Sequence, residues 1–519
     1  MAVPNPILPG CFPDPSVCRV GAWHYLVTST FELLPGMPVM RSRDLATWET
    51  IGHVLDRPGM VDLTGIRSSG GIFAPTIRHD GERFWIVTTL VDPDDAERGG
   101  TFVVTADDAA GPWSDPVWID VAGIDPSLLF DDDGRVWMHG TRLVAEPEWH
   151  HQTEVWVREL EPESGRLVGD EHVVWTGAVR GAVWAEGPHL LRIDGTCYLL
   201  AAEGGTAFEH AVCIARAEHP TGPFVGSPAN PVLTHRHLGH GADVQAVGHA
   251  DLVQAPDGRW WAVLLGTRPY DGRRHPLGRE TFLCPVEWQD GWPVFAPGVG
   301  RVPATVDLGV EPVPGVWQPD SRSAGVVAPG DPRWTAVRGF ASAFATPLDD
   351  GWTLRTTGDA LTDAGTPAFL GVRQQHRELD VEVVVERVDD GAASGLVIRQ
   401  SEDDHVALLV ERHGDGSLVR AVHRSAGAES ELGTVAVPAG PTRLGVAARG
   451  DDYRLLVDGT ALATVDARSL DTAASGGFLG VWIGIAAVGA AGAEARFGAL
   501  DYRPADARAA ASGSAGVAA

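Results

Sequence analysis

Five segments of this chain repeat one hairpin, and no other feature limits its fold so tightly. DPSVCRVGAWHYLVTS begins at Asp14, APTIRHDGERFWIVTT at Ala74 and DPSLLFDDDGRVWMHG at Asp125. Looser copies follow: GPHLLRIDGTCYLLAA from Gly187 and ADLVQAPDGRWWAVLLG from Ala250. Each joins a short apolar run to a second run rich in aromatic and β-branched residues, through a turn that reads Asp-Gly in four of the five copies. That pattern is a strong hairpin signal. In four copies 8 positions separate equivalent residues of the two strands (Val17 to Tyr25, Ile77 to Trp85, Leu190 to Tyr198, Val253 to Trp261), and in the Asp125 copy 9 do. The starts lie 60, 51, 62 and 63 residues apart, which leaves room for one four-stranded blade each. The expected fold is all-β, led by a five-bladed β-propeller.

In a propeller the first strand of every blade lines the central axis, so equivalent strand starts converge on one funnel. Here those starts, or the residues one place before them, are Asp14, Phe73 with Ala74, Asp125, Glu186 and His249. A single Asp-Pro-Ser only punctuates a turn. Carboxylates at the same place in three blades point instead to a site, because like charges in a partly desolvated funnel repel and raise one another's pKa values. Glu186 lies in VWAEGPHLL, apolar surroundings that suit a raised pKa and a proton donor. His249 reads equally as a backbone-satisfied histidine and as a ligand contact.

The charge balance narrows the partners. With 40 basic and 69 acidic side chains the net charge is −29, and every basic residue is arginine. A polyanion is repelled by such a surface, which argues against nucleic acid and anionic membrane and leaves a neutral ligand compatible. Eighteen tryptophans supply faces for sugar stacking or for cores. Five cysteines without CxxC or CxxH spacing indicate neither a disulfide framework nor a zinc site. No apolar run approaches the roughly 18 to 20 residues of a spanning helix. The opening MAVPNPILPG has neither the basic start nor the apolar stretch of a secretory signal, so a cytoplasmic location is expected.

NPILPGCFPDPS, YLVTSTFELLPGMPVMRSRDLATWETIGHVL, SGGIFAPTIRHDG, IDPSLLFDDDG, WAEGPHLL, AEGGTAFEH, GHADLVQAPDG and LGRETFLCPVEWQDGWPVF, in this order over residues 4–295, resemble glycoside hydrolase family 43. The resemblance is to its two-domain β-xylosidase and α-L-arabinofuranosidase branch. It implies an exo-acting, inverting enzyme with Asp14 as general base, Glu186 as general acid and Asp125 tuning the acid. Phe31 and Phe73 resemble the aromatic walls of the sugar pocket, Phe73 standing where relatives usually carry Trp or Tyr. Arg279, in LGRET, resembles the arginine that grips sugar hydroxyls, and Thr206 lines the pocket by the same likeness. His249 corresponds to a histidine near the pocket floor. The resemblance implies no required cofactor and admits a divalent ion such as calcium near His249, as it admits a homo-dimer or tetramer.

The propeller is expected over residues 1–300. Residues 301–332 are proline-rich without a sustained period and read as a linker, and 504–519, PADARAAASGSAGVAA, as a disordered tail. Between them, over 333–503, short alternating runs such as LDVEVVVERV, HVALLVERH and FLGVWIGIAA predict an antiparallel β-sandwich. RQSEDDHVALLV within it carries charges where relatives often have aromatic residues. In relatives a phenylalanine of this domain reaches the active-site mouth, and Phe478, in SGGFLGVW, is the matching residue. The expected function is release of terminal β-xylose from short xylo-oligosaccharides. The alternatives are an α-L-arabinofuranosidase, alone or with xylosidase activity, and a sugar-binding propeller without catalysis.

Overall fold

In the computed structural model, which describes residues 2–309 and 325–505, five antiparallel sheets surround one axis. The first blade runs Ser16–Val20, Trp23–Val27, Gly36–Ser42, Glu49–Leu55, and the third Ile124–Phe130, Val136–Leu143, Thr153–Glu161, Arg166–Trp175. The fourth and fifth open with Glu186–Ile193 and Gln245–Gln254. In the second blade the inner strand is broken into Gly71–Ile72 and Thr76–His79, both paired with Phe84–Val91. The gap holds Pro75, which has no amide to donate to the ladder, and at Gly71, φ 95°, any Cβ would lie 2.3 Å from the Phe31 carbonyl oxygen.

Each gap between blades is filled by the apolar face that strand alternation provides. Val39, Ile72 and Phe102 share the core of the first gap, Trp85, Met138 and Trp156 the second, and Leu129, Val157 and Leu199 the third. Leu200, Val247 and Phe282 fill the fourth, and Ile7, Trp48 and Val263 the fifth. The ring is closed by its N-terminal segment. Asn5 donates to the carbonyls of Leu283 and Pro303 at 2.8 and 2.9 Å and accepts from the Leu283 amide at 3.0 Å.

The C-terminal region is a β-sandwich of a nine-stranded and an eight-stranded sheet. Its core includes Val381, Leu396, Leu408, Val446, Ile483 and Phe497, all nearly inaccessible. The two ends of the stretch expected as a linker are themselves paired: Thr305–Asp307 with Ala2–Pro4, and Gly325–Val327 with Leu500–Pro504. Residues 310–324 and 506–519 lie outside the described residues, and Pro504 still belongs to the last strand. One pairing crosses between the domains. Leu33–Leu34, a propeller segment, forms the edge of the eight-stranded sheet against Ala336 and Val337. Among the described residues no helix is long and apolar enough to cross a membrane.

Candidate active site

A cavity of about 390 Å³ opens on the propeller axis, lined by Asp14, Phe31, Phe73, Asp125, Trp184, Glu186, Thr206, His249, Arg279 and Phe478, among others. All nine residues singled out in the sequence therefore meet in one place. The backbone explains how. Asp14, Asp125 and His249 adopt left-handed conformations with φ of 55°, 53° and 47°, and Gly187 does so at 56°. Around Asp125, Glu186 and His249 the inner strand also slips register by a bulge. A left-handed residue at a bulge re-aims a side chain out of the pleat, and strain of this kind gathers at functional sites. In the fourth blade the left-handed residue is Gly187, so Glu186 leaves the backbone one residue earlier than Asp14 or Asp125 leave theirs.

The surroundings of the three carboxyls differ. Asp14 is fully engaged: Ser29 Oγ donates to its Oδ2 at 2.6 Å and Arg279 Nη1 to its Oδ1 at 2.9 Å, with His249 Nδ1 3.7 Å from the same Oδ1. The same Arg279 nitrogen donates to Thr206 Oγ1 at 3.1 Å. Asp125 accepts the Gly187 amide at 2.9 Å. Burial pushes the Asp125 carboxyl above its ordinary range and Asp14 adds to this, while His249, the Gly187 amide and Arg279 pull it back. Among the described residues Glu186 accepts no such bond. Burial, then the charges of Asp125 and Asp14, hold it well above the usual carboxylate range against Arg279. Gly187 cannot be another residue here, because a Cβ would stand 2.9 Å from the His249 ring.

Beneath the carboxyls a second tier of inner-strand residues plugs the axis. Arg78 pairs with the fully buried Asp251 at 2.8 Å, Ser16 donates to the same carboxylate at 2.9 Å, and Arg78 lies 3.1 Å from His189 Nδ1. Burial favours a neutral Asp251, yet Arg78 and the Val17 amide bring it down to about 2. His189 is pushed down to about 3, chiefly by burial, so it stays neutral. Near His249 stand Asp14, its Oδ1 3.7 Å from Nδ1, the Asp125 carboxyl and the His189 ring. Among the described residues no group of three or more His, Cys, Asp or Glu converges as a metal site. Calcium takes six to eight oxygens, and that set is not present, so no step below involves a metal.

The remaining wall is aromatic. The rings of Phe31, Phe73 and Phe478 stand 5.5 to 5.8 Å apart in a mutual triangle, and the Arg279 guanidinium lies 5.2 Å from the Phe478 ring. Phe478 comes from the sandwich, so the pocket is built by both domains. Sequence reasoning passed over Ser29, Trp184 and His210. Ser29 sits on the loop after the second strand, away from the repeat position, where nothing marks it as the partner of Asp14. Trp184 was visible only as an apolar neighbour of Glu186, yet it lines both this cavity and a second one. That second cavity, about 520 Å³, lies between the second and third blades, and Glu186, Trp184 and Ile124 form the wall the two share.

The sequence model of Glycosyl hydrolases family 43 matches residues 3–293, and that of the Beta xylosidase C-terminal Concanavalin A-like domain matches 331–503. A xylosidase/arabinosidase of Butyrivibrio fibrisolvens is 37% identical over 504 residues, spanning 93% of this chain and 95% of that protein. A non-reducing end alpha-L-arabinofuranosidase of Bacteroides ovatus is also 37% identical, over 93% of this chain and 91% of its own length. Among solved structures, xylan beta-1,4-xylosidase of Bacillus halodurans superposes with a TM-score of 0.86 at 29% identity, covering 96% of this chain and all of that one. With both family models matched in order and whole-length relatives above 30% identity, the chain belongs to glycoside hydrolase family 43 and is a glycoside hydrolase.

Proposed function

We propose that the protein removes single terminal β-D-xylose units from short xylo-oligosaccharides with inversion, Glu186 acting as general acid and Asp14 as general base. One observation carries this reading: Glu186, the carboxyl held well above its usual range, forms the partition between two cavities. A proton donor has to stand at the glycosidic oxygen, with one sugar on either side. The axial cavity, closed by the phenylalanine triangle and Arg279, takes the terminal sugar, and the cavity between the second and third blades takes the leaving group.

The chain's residues divide the work as inversion requires. Glu186, whose carboxyl burial and the charges of Asp125 and Asp14 hold well above the usual range, gives its proton to the leaving oxygen. Asp14 accepts a proton from the attacking water on the opposite face of the sugar, and Ser29 and Arg279 fix its rotamer. An inverting pair stands about 6.5 to 9.5 Å apart to admit that water. Asp125 keeps Glu186 protonated by disfavouring a second nearby negative charge. The reaction so written needs no cofactor. Five unpaired cysteines, four of them buried, suit the reducing conditions of the cytoplasm.

The names of the relatives favour one second reading, α-L-arabinofuranosidase activity in the same pocket, alone or alongside the first. Hydrolysis of p-nitrophenyl β-xyloside and α-arabinofuranoside separates the two. Exo action is tested with xylotetraose labelled at its reducing end. Labelled xylotriose and free xylose are expected first, and early release of labelled xylobiose contradicts the assignment.

A further inference from the structure

Behind the phenylalanine triangle lies a buried ionic cluster drawn from both domains. Glu32, Arg338, Arg399 and Glu402 have side chains at most 7% exposed, and their formal charges cancel. Arg399 bridges the carboxylates, Nη1 lying 3.4 Å from Glu32 Oε1 and Nη2 3.3 Å from Glu402 Oε2, while Arg338 Nη2 reaches Glu402 Oε2 at 2.9 Å. Ser68 Oγ sits between the two carboxylates, 2.7 Å from Glu32 Oε1 and against Glu402 Oε2, and its amide donates to Glu402 Oε1 at 2.9 Å. Two of the charges of RQSEDDHVALLV, Arg399 and Glu402, thus belong to this cluster, and Arg338 joins them from elsewhere in the sandwich.

Each of the three wall segments is tied to the cluster. Glu32 directly follows Phe31, and its Oε2 accepts the Ser69 amide at 3.1 Å. Ser68 and Ser69 lead into Gly71–Ile72 and Phe73, and the Ile72 amide donates to the Phe31 carbonyl at 3.0 Å. Ser69 Oγ in turn accepts the Phe478 amide at 2.8 Å. At Gly477, φ 83°, a Cβ would lie 2.3 Å from that hydroxyl, so the approach is as close as backbone permits.

We propose that Glu402, with Arg338, Arg399, Glu32 and Ser68, is a positioning device through which the sandwich sets the phenylalanine wall, and thereby the affinity of the pocket for the terminal sugar. The proposal rests on the reading of the axial cavity as the sugar site. None of these five residues lines that cavity, so their effect passes through the rings. A wall that grips the sugar equally in the ground and transition states changes KM and leaves kcat alone.

The test is a double-mutant cycle on p-nitrophenyl β-xyloside. Phe478→Ala and Glu402→Gln are each expected to raise KM about ten-fold with kcat within about two-fold. If Glu402 acts through the ring, the double variant stays near ten-fold; independent effects multiply to about a hundred-fold, and that result overturns the proposal. Asp403→Asn, at the exposed rim beside Arg67, is expected to leave KM unchanged, and an equal rise there overturns the proposal by making the effect one of surface charge. Should Glu402→Gln fail to fold, Ser68→Ala enters the same cycle with the same two outcomes. If Phe478→Ala alone leaves KM unchanged, the sugar-site reading falls, and the proposal with it.

Discussion

The two walls of the pocket are made by different means. The axial wall comes from the repeat: Asp14, Asp125, Glu186 and His249 lie on or just before the inner strands of different blades, turned inward by the same left-handed step or its neighbour. The wall facing the sandwich draws only Phe73 from a repeat position. Phe31 and Phe478 come from unrelated loops, and the wall is held by charges 300 and more positions apart in the chain, such as Glu32 and Arg399. In the proposed reaction the axial wall carries the groups that exchange protons, and the other carries the surface that grips the sugar. What a repeat delivers is convergence. What a domain contact delivers is shape.

The largest effect expected from this division is on the axial wall. Glu186→Ala should slow xylobiose hydrolysis by up to about 10⁴-fold and an activated aryl xyloside far less, because an acidic phenol leaves with little protonation. Asp14→Ala should slow both by a similar factor, since water attack is needed whatever leaves, and azide should restore Asp14→Ala but not Glu186→Ala. Steady-state rates on the two substrates check this, and equal slowing in Glu186→Ala with discrimination in Asp14→Ala exchanges the roles.

Next is the plug beneath the carboxyls. Arg78→Met leaves Asp251 buried without its cation, at a cost of about 3–5 kcal/mol in unfolding free energy, whereas a rim pair such as Arg41–Glu49 is worth at most about 1 kcal/mol. Chemical denaturation of Arg78→Met and Arg41→Met measures the contrast, and equal losses would contradict a charged axial plug.

Smaller, and aimed at the coupling among the carboxyls, is a shift in pH dependence. Glu186 must be protonated to act, so activity is present below its raised pKa and is lost as pH rises through it. Burial is the largest cause of that rise and Asp125 the second. Asp125→Asn should therefore move the alkaline limb of kcat/KM to lower pH without bringing it to the value of an exposed glutamate. An unmoved limb in the pH profile argues that burial and Asp14 set it without Asp125.

The ease of reading the sequence follows the same line. The hairpin spacing and Asp-Gly turns made five blades and their converging starts legible, because a repeat compares a chain with itself. The partners of those residues were not. Ser29 holds Asp14 from a loop, and Trp184 was seen only as apolar company for Glu186. Glu402 and Arg338 pair across 64 positions of sequence that neither marks. Such contacts depend on how loops and domains pack, and alternation along a strand carries no trace of them. For the same reason the pairing of Leu33–Leu34 with the sandwich came only with the structure.

The stereochemistry of the first product tests the central claim most directly. If Asp14 activates water while Glu186 protonates the leaving oxygen, hydrolysis of a β-xyloside followed by proton NMR from the first seconds shows α-xylose first, with β-xylose growing in only as the sugar mutarotates. β-Xylose appearing first would mean retention. Asp14 would then have to attack the sugar itself, and the separation of base from acid across the axis would be wrong.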